Sequence, residues 1–125
     1  MKELTKAEEQ VMQVLWKARK GFVKDLLGHF RDPKPAYNTV STVIRLLEEK
    51  GYVSHRAYGR TYEYYPLISK EAYSKMQVRN LVRNYFANSF EKMVSYFARE
   101  KDISIKEMEE ILKIMEKEVK KHKSS

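Results

Sequence analysis

Between Gly51 and Pro66 the hydrophobic period of the chain changes, and that change limits the fold more than any other feature. Upstream of it, apolar residues recur at helical spacing in three stretches. Thr5-Lys6-Ala7-Glu8 reads as a capping box, and Ala7, Val11, Val14, Leu15 and Ala18 follow it. They predict a first helix over about 6–19, with Lys17, Arg19 and Lys20 at its cation-favouring end and Gly21 as its stop. Val23, Leu26, Leu27 and Phe30 form a short second stripe that ends at Asp32-Pro33-Lys34-Pro35, since prolines cannot sit inside a helix but can lead into one. Val40, Val43, Ile44 and Leu47 give a third helix from Tyr37 to Lys50, closed by Gly51.

Tyr52–Arg56 and Thr61–Tyr65 are instead rich in aromatic and β-branched residues, and they flank Ala57-Tyr58-Gly59-Arg60. This predicts a β-hairpin with Gly59 in its turn and Pro66 at its end. Helical spacing returns from Ser69: one run through Tyr73, Leu81, Val82 and Phe86, a bend near Ala87-Asn88-Ser89, then Phe90, Met93, Val94 and Phe97. A second capping box, Ser104-Ile105-Lys106-Glu107, opens a last helix carrying Ile105, Met108, Ile111, Leu112, Met115 and Val119, with Ile103 and Met108 as its hydrophobic staple. The expected fold is mainly α with a small β-hairpin: an N-terminal winged helix-turn-helix over 1–68 and a helical dimerisation region over 69–125. The tail from Lys120 to Ser125 is expected to fray.

Charge narrows the partner. The chain carries +8 over 125 residues, and the excess is even, +4 in 1–68 and +4 in 69–125. A polyanion is therefore the first partner to consider, nucleic acid ahead of membrane. The absence of cysteine excludes a thiolate metal site and a cysteine nucleophile. His29, His55 and His122 show no metal-ligand spacing, and no phosphate loop, nucleophile elbow or H-E-x-x-H pattern occurs, so neither catalysis nor a metal or other cofactor is expected. No apolar run approaches the roughly 18 residues that span a bilayer, so no stable membrane insertion is expected. The opening residues lack a secretory layout, which places the chain in the cytoplasm as an expectation.

The third helix holds the candidate site. Stepping 100° per residue sets Asn38, Ser41, Thr42 and Arg45 away from its apolar face, with Thr39 on the flank. Solvated faces usually favour Lys and Glu, yet Asn38 to Ser41 carries no charge. Asn pairs bidentately with adenine, and hydroxyls donate, accept or touch the thymine methyl, so this surface suits a major groove. Tyr37 and the helix N-terminus lie where free amides suit phosphate. Arg56, Tyr58 and Arg60 make the hairpin tip cationic, able to reach phosphates or the adjacent minor groove. One winged unit makes few contacts, so a homodimer is expected, with the Met- and aromatic-rich C-terminal helices as the surface that forms it.

Three stretches then resemble one family. Leu4-Thr5-Lys6-Ala7-Glu8 with Val11-Met12 and Leu15-Trp16 looks like its opening; Tyr37-Asn38-Thr39-Val40-Ser41-Thr42-Val43-Ile44-Arg45 through Val53 like its recognition helix and strand entry; Gly59-Arg60-Thr61-Tyr62-Glu63-Tyr64-Tyr65-Pro66-Leu67 like its wing return. The chain resembles, from Leu4 to about Val119, the penicillinase-repressor family of bacterial transcription factors, the BlaI/MecI/CopY group. The resemblance implies a homodimeric winged-helix repressor on a dyad DNA operator, with the positions of Asn38, Thr39 and Ser41 in groove contact. Staphylococcal members carry basic residues where this chain has Asn38 and Ser41, which changes the operator expected. The copper-responsive branch needs C-terminal cysteines that this chain lacks. The β-lactam branch is relieved when a membrane sensor-protease leads to cleavage of an Asn-Phe bond. The matching dipeptide here is Tyr96-Phe97, which agrees at Phe97 and departs at Tyr96; the other reading makes both residues aromatics of a dimer core. Two alternatives stand beside the repressor: a winged-helix protein-interaction module, and a repressor gated by a small effector bound between the C-terminal helices.

Overall fold

The computed structural model describes residues 2–123. Helix α1 spans Lys6–Ala18 and starts on the expected reciprocal cap: Glu8 N donates to Thr5 Oγ1 at 3.2 Å, and Thr5 N donates to Glu8 Oε1 at 2.8 Å. Glu8 is buried, and its carboxylate also accepts from Lys50 Nζ at 2.6 Å, while the same ammonium donates to Glu3 O at 3.1 Å. Tyr52 Oη donates to Lys2 O at 2.6 Å. The entry to α1 is thus clasped to the exit of the third helix. Burial pushes the Glu8 carboxyl up, but the hydrogen bonds from Lys50 and Thr5 outweigh it and hold the group below its ordinary value.

The end of α1 corrects the sequence reading. Its cap is Arg19, at φ +74, with Arg19 N donating to Leu15 O at 2.7 Å; Gly21 is not the stop. Gly21 instead begins a two-residue strand, β1 (Gly21–Phe22), and a Cβ there would lie 2.9 Å from Leu26 Cδ2, so a larger residue would have to push the Leu26 side chain aside. The second stripe is one helical turn, α2 (Val23–Leu26), tightening to a 3₁₀ turn over Leu27–His29. Helix α3 runs Tyr37–Glu49.

The hairpin comprises β2 (Val53–Tyr58) and β3 (Thr61–Pro66), each displaced toward longer pairing than the pattern predicts. Tyr58 pairs with Thr61, so Ala57 and Tyr58 are strand residues and Gly59-Arg60 alone make the turn. Gly59 has φ +63 and Arg60 does not share the left-handed region, the arrangement of a II′ turn. β1 adds to the other side of β3, giving an antiparallel sheet in the order β1-β3-β2 with Gly21 opposite Tyr64. Val11, Met12 and Leu15 of α1, Leu26 of α2, Val40, Ile44 and Leu47 of α3, and Tyr52, Val53 and Tyr64 close one core; Val43 is only half buried.

Helices α4 (Lys70–Tyr85), α5 (Phe90–Arg99) and α6 (Ile105–Lys123) follow. The expected bend lies between α4 and α5, where Ala87 and Asn88 take positive φ and Ser89 caps α5 by accepting from Lys92 N. The Ser104/Glu107 box is formed, with Glu107 N donating to Ser104 Oγ at 3.1 Å. The chain divides into two compact units, Met1–Lys75 and Met76–Ser125. The first turns of α4 belong to the first unit because Tyr73 is buried there, its ring 5.5 Å from Trp16 and 6.0 Å from Tyr52. Trp16 Nε1 donates to Ile68 O at 2.8 Å.

Candidate nucleic-acid interface

Burial of Val40, Ile44 and Leu47 fixes which side of α3 faces outward. Tyr37 is 52% exposed; Asn38, Thr39, Thr42 and Arg45 are exposed and Ser41 is half buried. The N-cap residue Ala36 makes no side-chain cap, and no acidic residue lies in the first turn. The first amides of α3 are therefore left for an outside acceptor. Arg45 Nε donates to Ser41 O at 3.3 Å, one turn back, which lays the guanidinium along the helix.

Tyr37, Ser41 and Arg45 form one wall of a groove of about 560 Å³, and Arg60, Thr61, Tyr62 and Tyr64 of the wing form the facing wall. Lys24 and Asp25, at the start of α2, stand at its end. Six of the predicted residues are thus on the outer face of α3, and Arg60 joins three of them across the groove. Arg56 and Tyr58 are placed differently. In the observed register Arg56 faces Glu63 and Tyr58 faces Thr61, on the sheet face opposite His55 and Tyr64. Tyr58 packs edge-on against Phe22 at 5.8 Å, and Glu63 is also 3.9 Å from Lys20. The wing therefore offers cations to two sides rather than one clustered tip.

Pattern alone does not pick out Tyr62 and Tyr64. Both are groove residues because the alternation of β3, once its register is known, turns them toward α3. Burial pushes the Tyr64 hydroxyl up, Glu48 adds to that and Arg45 opposes it, so charges of both signs on α3 reach this wall. His55 also gains a role: its Nδ1 lies 2.6 Å from Glu48 Oε2 and its ring stacks on Tyr62 at 4.2 Å. Among the described residues, no group of three or more His, Asp or Glu is placed to hold a metal ion, and no helix is long and apolar enough to cross a membrane.

Tyr96 and Phe97 lie inside α5, Tyr96 exposed and Phe97 half buried. Their rings, 5.5 Å apart, cluster with Phe86 at 5.9 and 6.4 Å. With Leu81 and Tyr85 they line a cavity of about 930 Å³. In the same unit Val82 is the one buried apolar residue among those described. Ile105, Leu112, Met115 and Val119 of α6 are more than half exposed.

The methicillin resistance regulatory protein MecI of Mammaliicoccus sciuri is 25% identical over 118 residues, covering 92% of this chain and 94% of that protein. The penicillinase repressor of Bacillus licheniformis is 24% identical over 115 residues, covering 91% and 90%. The solution structure of the DNA-binding domain of the repressor BlaI matches 58% of this chain and 94% of its own, at 27% identity and a TM-score of 0.49. The penicillinase repressor family matches residues 4–117, nearly the whole length. The chain belongs to that family, and it is a transcriptional repressor rather than an enzyme.

Proposed function

We propose that the chain represses transcription as a homodimer on a dyad operator, with residues 1–68 holding the duplex and 69–125 joining the copies. The carrying observation is the exposed, uncharged start of α3, opening onto a groove that Arg45 and Arg60 border. Asn38, Thr39, Ser41 and Thr42 read base edges, Tyr37 and the free amides of α3 meet the backbone, and Arg45 and Arg60 take phosphates. Arg56 and Tyr58, on the other sheet face, reach the neighbouring minor groove or its phosphates. The exposed apolar stripe of α6 supports pairing, since a charged chain leaves such a face bare only where something covers it. A repressor of this kind acts in the cytoplasm, where its operator is.

Release through a membrane sensor-protease rests on the family resemblance alone. Proteases act on extended backbone, and the Tyr96–Phe97 bond is helical, so cleavage there requires α5 to unwind. The ring cluster around Phe86 favours the reading of these residues as packing aromatics. Selection of bound duplexes from a randomised pool, followed by sedimentation of the complex, tests the main proposal. A symmetric site carrying two chains is expected, and failure to enrich any sequence refutes it. Incubation with membranes holding a co-encoded sensor-protease and mass analysis of the fragments tests the release step; an intact chain during derepression refutes that step.

A further inference from the structure

We propose, resting on the DNA-binding reading above, that Tyr62 fixes one backbone strand of the duplex by donating its hydroxyl to a phosphate. That strand lies in the groove between α3 and the wing. A single sugar-phosphate strand separates a major groove from the minor groove beside it. A chain that lays α3 in the one and reaches the other with its wing must let that strand pass between them. The space between α3 and β3 is the groove of about 560 Å³, with Ser41 and Arg45 on one wall and Arg60 and Tyr62 on the other. Of its charged linings, Lys24 and Asp25 offset each other. Arg45 and Arg60 remain as the excess positive charge that a strand of phosphates requires.

Tyr62 is held on this wall as a ready donor. It pairs with Ala57 across the hairpin, and alternation along β3 sets it on the same sheet face as Tyr64. One face of its ring stacks on His55 at 4.2 Å and 21°, and Tyr64 meets it edge-on at 6.3 Å. His55 is itself tied to the last turn of α3, its Nδ1 lying 2.6 Å from Glu48 Oε2. The ring is thus supported from two sides, yet Tyr62 is 45% exposed and its hydroxyl has no hydrogen-bond partner among the described residues. A phenol donates one hydrogen bond and an ionised phosphate oxygen only accepts, so the two are matched. Support in advance spares the complex the ordering cost that a freely rotating tyrosine carries. The hydroxyl is neutral, so this contact adds a grip without adding a charge, unlike those of Arg45 and Arg60.

The test uses the full chain and a duplex recovered by selection from a randomised pool, with affinity measured by fluorescence anisotropy. Tyr62→Phe keeps the ring and its stacking and removes only the hydroxyl, so its thermal melt is expected to match wild type. Its affinity is expected to fall about three- to thirtyfold on every duplex, the scale of a hydrogen bond to a charged group. The slope of affinity against salt is expected to stay as in wild type, because no charge is lost. The deciding readout is a scan in which each phosphate in turn is replaced by an uncharged methylphosphonate. In wild type several positions are expected to weaken binding; in Tyr62→Phe the penalty at one position per half-site is expected to shrink and the others to persist. Wild-type affinity in Tyr62→Phe overturns the proposal. So does a loss that leaves every methylphosphonate penalty unchanged, the mark of a residue that only packs. Failure of the wild-type chain to enrich or bind any duplex would instead refute the DNA-binding reading itself.

Discussion

The two units of this chain are built from similar proportions of apolar and charged residues, yet one is closed and the other is open. In Met1–Lys75 the apolar faces of three helices meet a sheet, and the side chains of Met12, Leu15, Ile44, Leu47 and Tyr52 have no exposed surface. In Met76–Ser125 the apolar residues are just as regularly spaced, but Leu112, Met115 and Val119 remain more than half exposed. Periodicity specifies a helix face; only a facing layer makes that face a core. The first unit has such a layer in β2 and β3, and the second has none of its own.

The contrast can be broken most severely at α6. Leu112→Glu places a charge on the exposed stripe and should leave the first unit untouched. On the proposed pairing it yields a monomer by sedimentation equilibrium and costs operator affinity at least about 2–4 kcal/mol, the scale of an interface hot spot. A dimer that survives the change would mean that α6 is not the joining surface. Ile44→Ala probes the closed unit: a cavity at a position with no exposure should lower stability by about 2–5 kcal/mol in denaturant melts. The same truncation at the 62%-exposed Ile114 should stay within about 0.5 kcal/mol.

Smaller effects sharpen the comparison within the first unit. Asn38→Ala should weaken specific binding by about 1–3 kcal/mol and relax discrimination at one base position, read by competition among operator variants. Arg60→Ala should weaken all duplexes alike and flatten the salt dependence. Glu8→Gln should cost about 1 kcal/mol by removing the charge that Lys50 meets. Its pH signature has a definite sign. The folded-state Glu8 carboxyl is held below its ordinary value, so its contribution is present above that value and is lost as pH falls through the lowered one. Acid titration of melting temperature should therefore be shallower in Glu8→Gln than in wild type.

Much of this architecture is legible in the linear chain because local rules and tertiary demands agree. Both capping boxes, the span of α3, the turn at Gly59 and the break at Asn88 follow from residue type and spacing. What escapes the linear reading depends on partners far along the chain. β1 is two residues long and exists because β3 offers it an edge, which no propensity encodes. Gly21 looks like a helix stop, but its role is set by Leu26 packing over it. Tyr62 and the His55–Glu48 pair needed the register of the hairpin, since a one-residue slip would turn them to the other face. Arg56 and Tyr58 read as part of one tip with Arg60 for the same reason.

The bare stripe on α6 also bears on how long a chain lasts after synthesis. Exposed leucine, isoleucine and methionine are what chaperones and degradative proteases seize, and a second copy hides them only when copies are numerous enough to meet. On the proposed pairing, scarcity shortens each molecule's lifetime and plenty extends it. The amount of repressor in the cell would then respond more steeply than its rate of production, a sharpened threshold arising from an uncovered helix face.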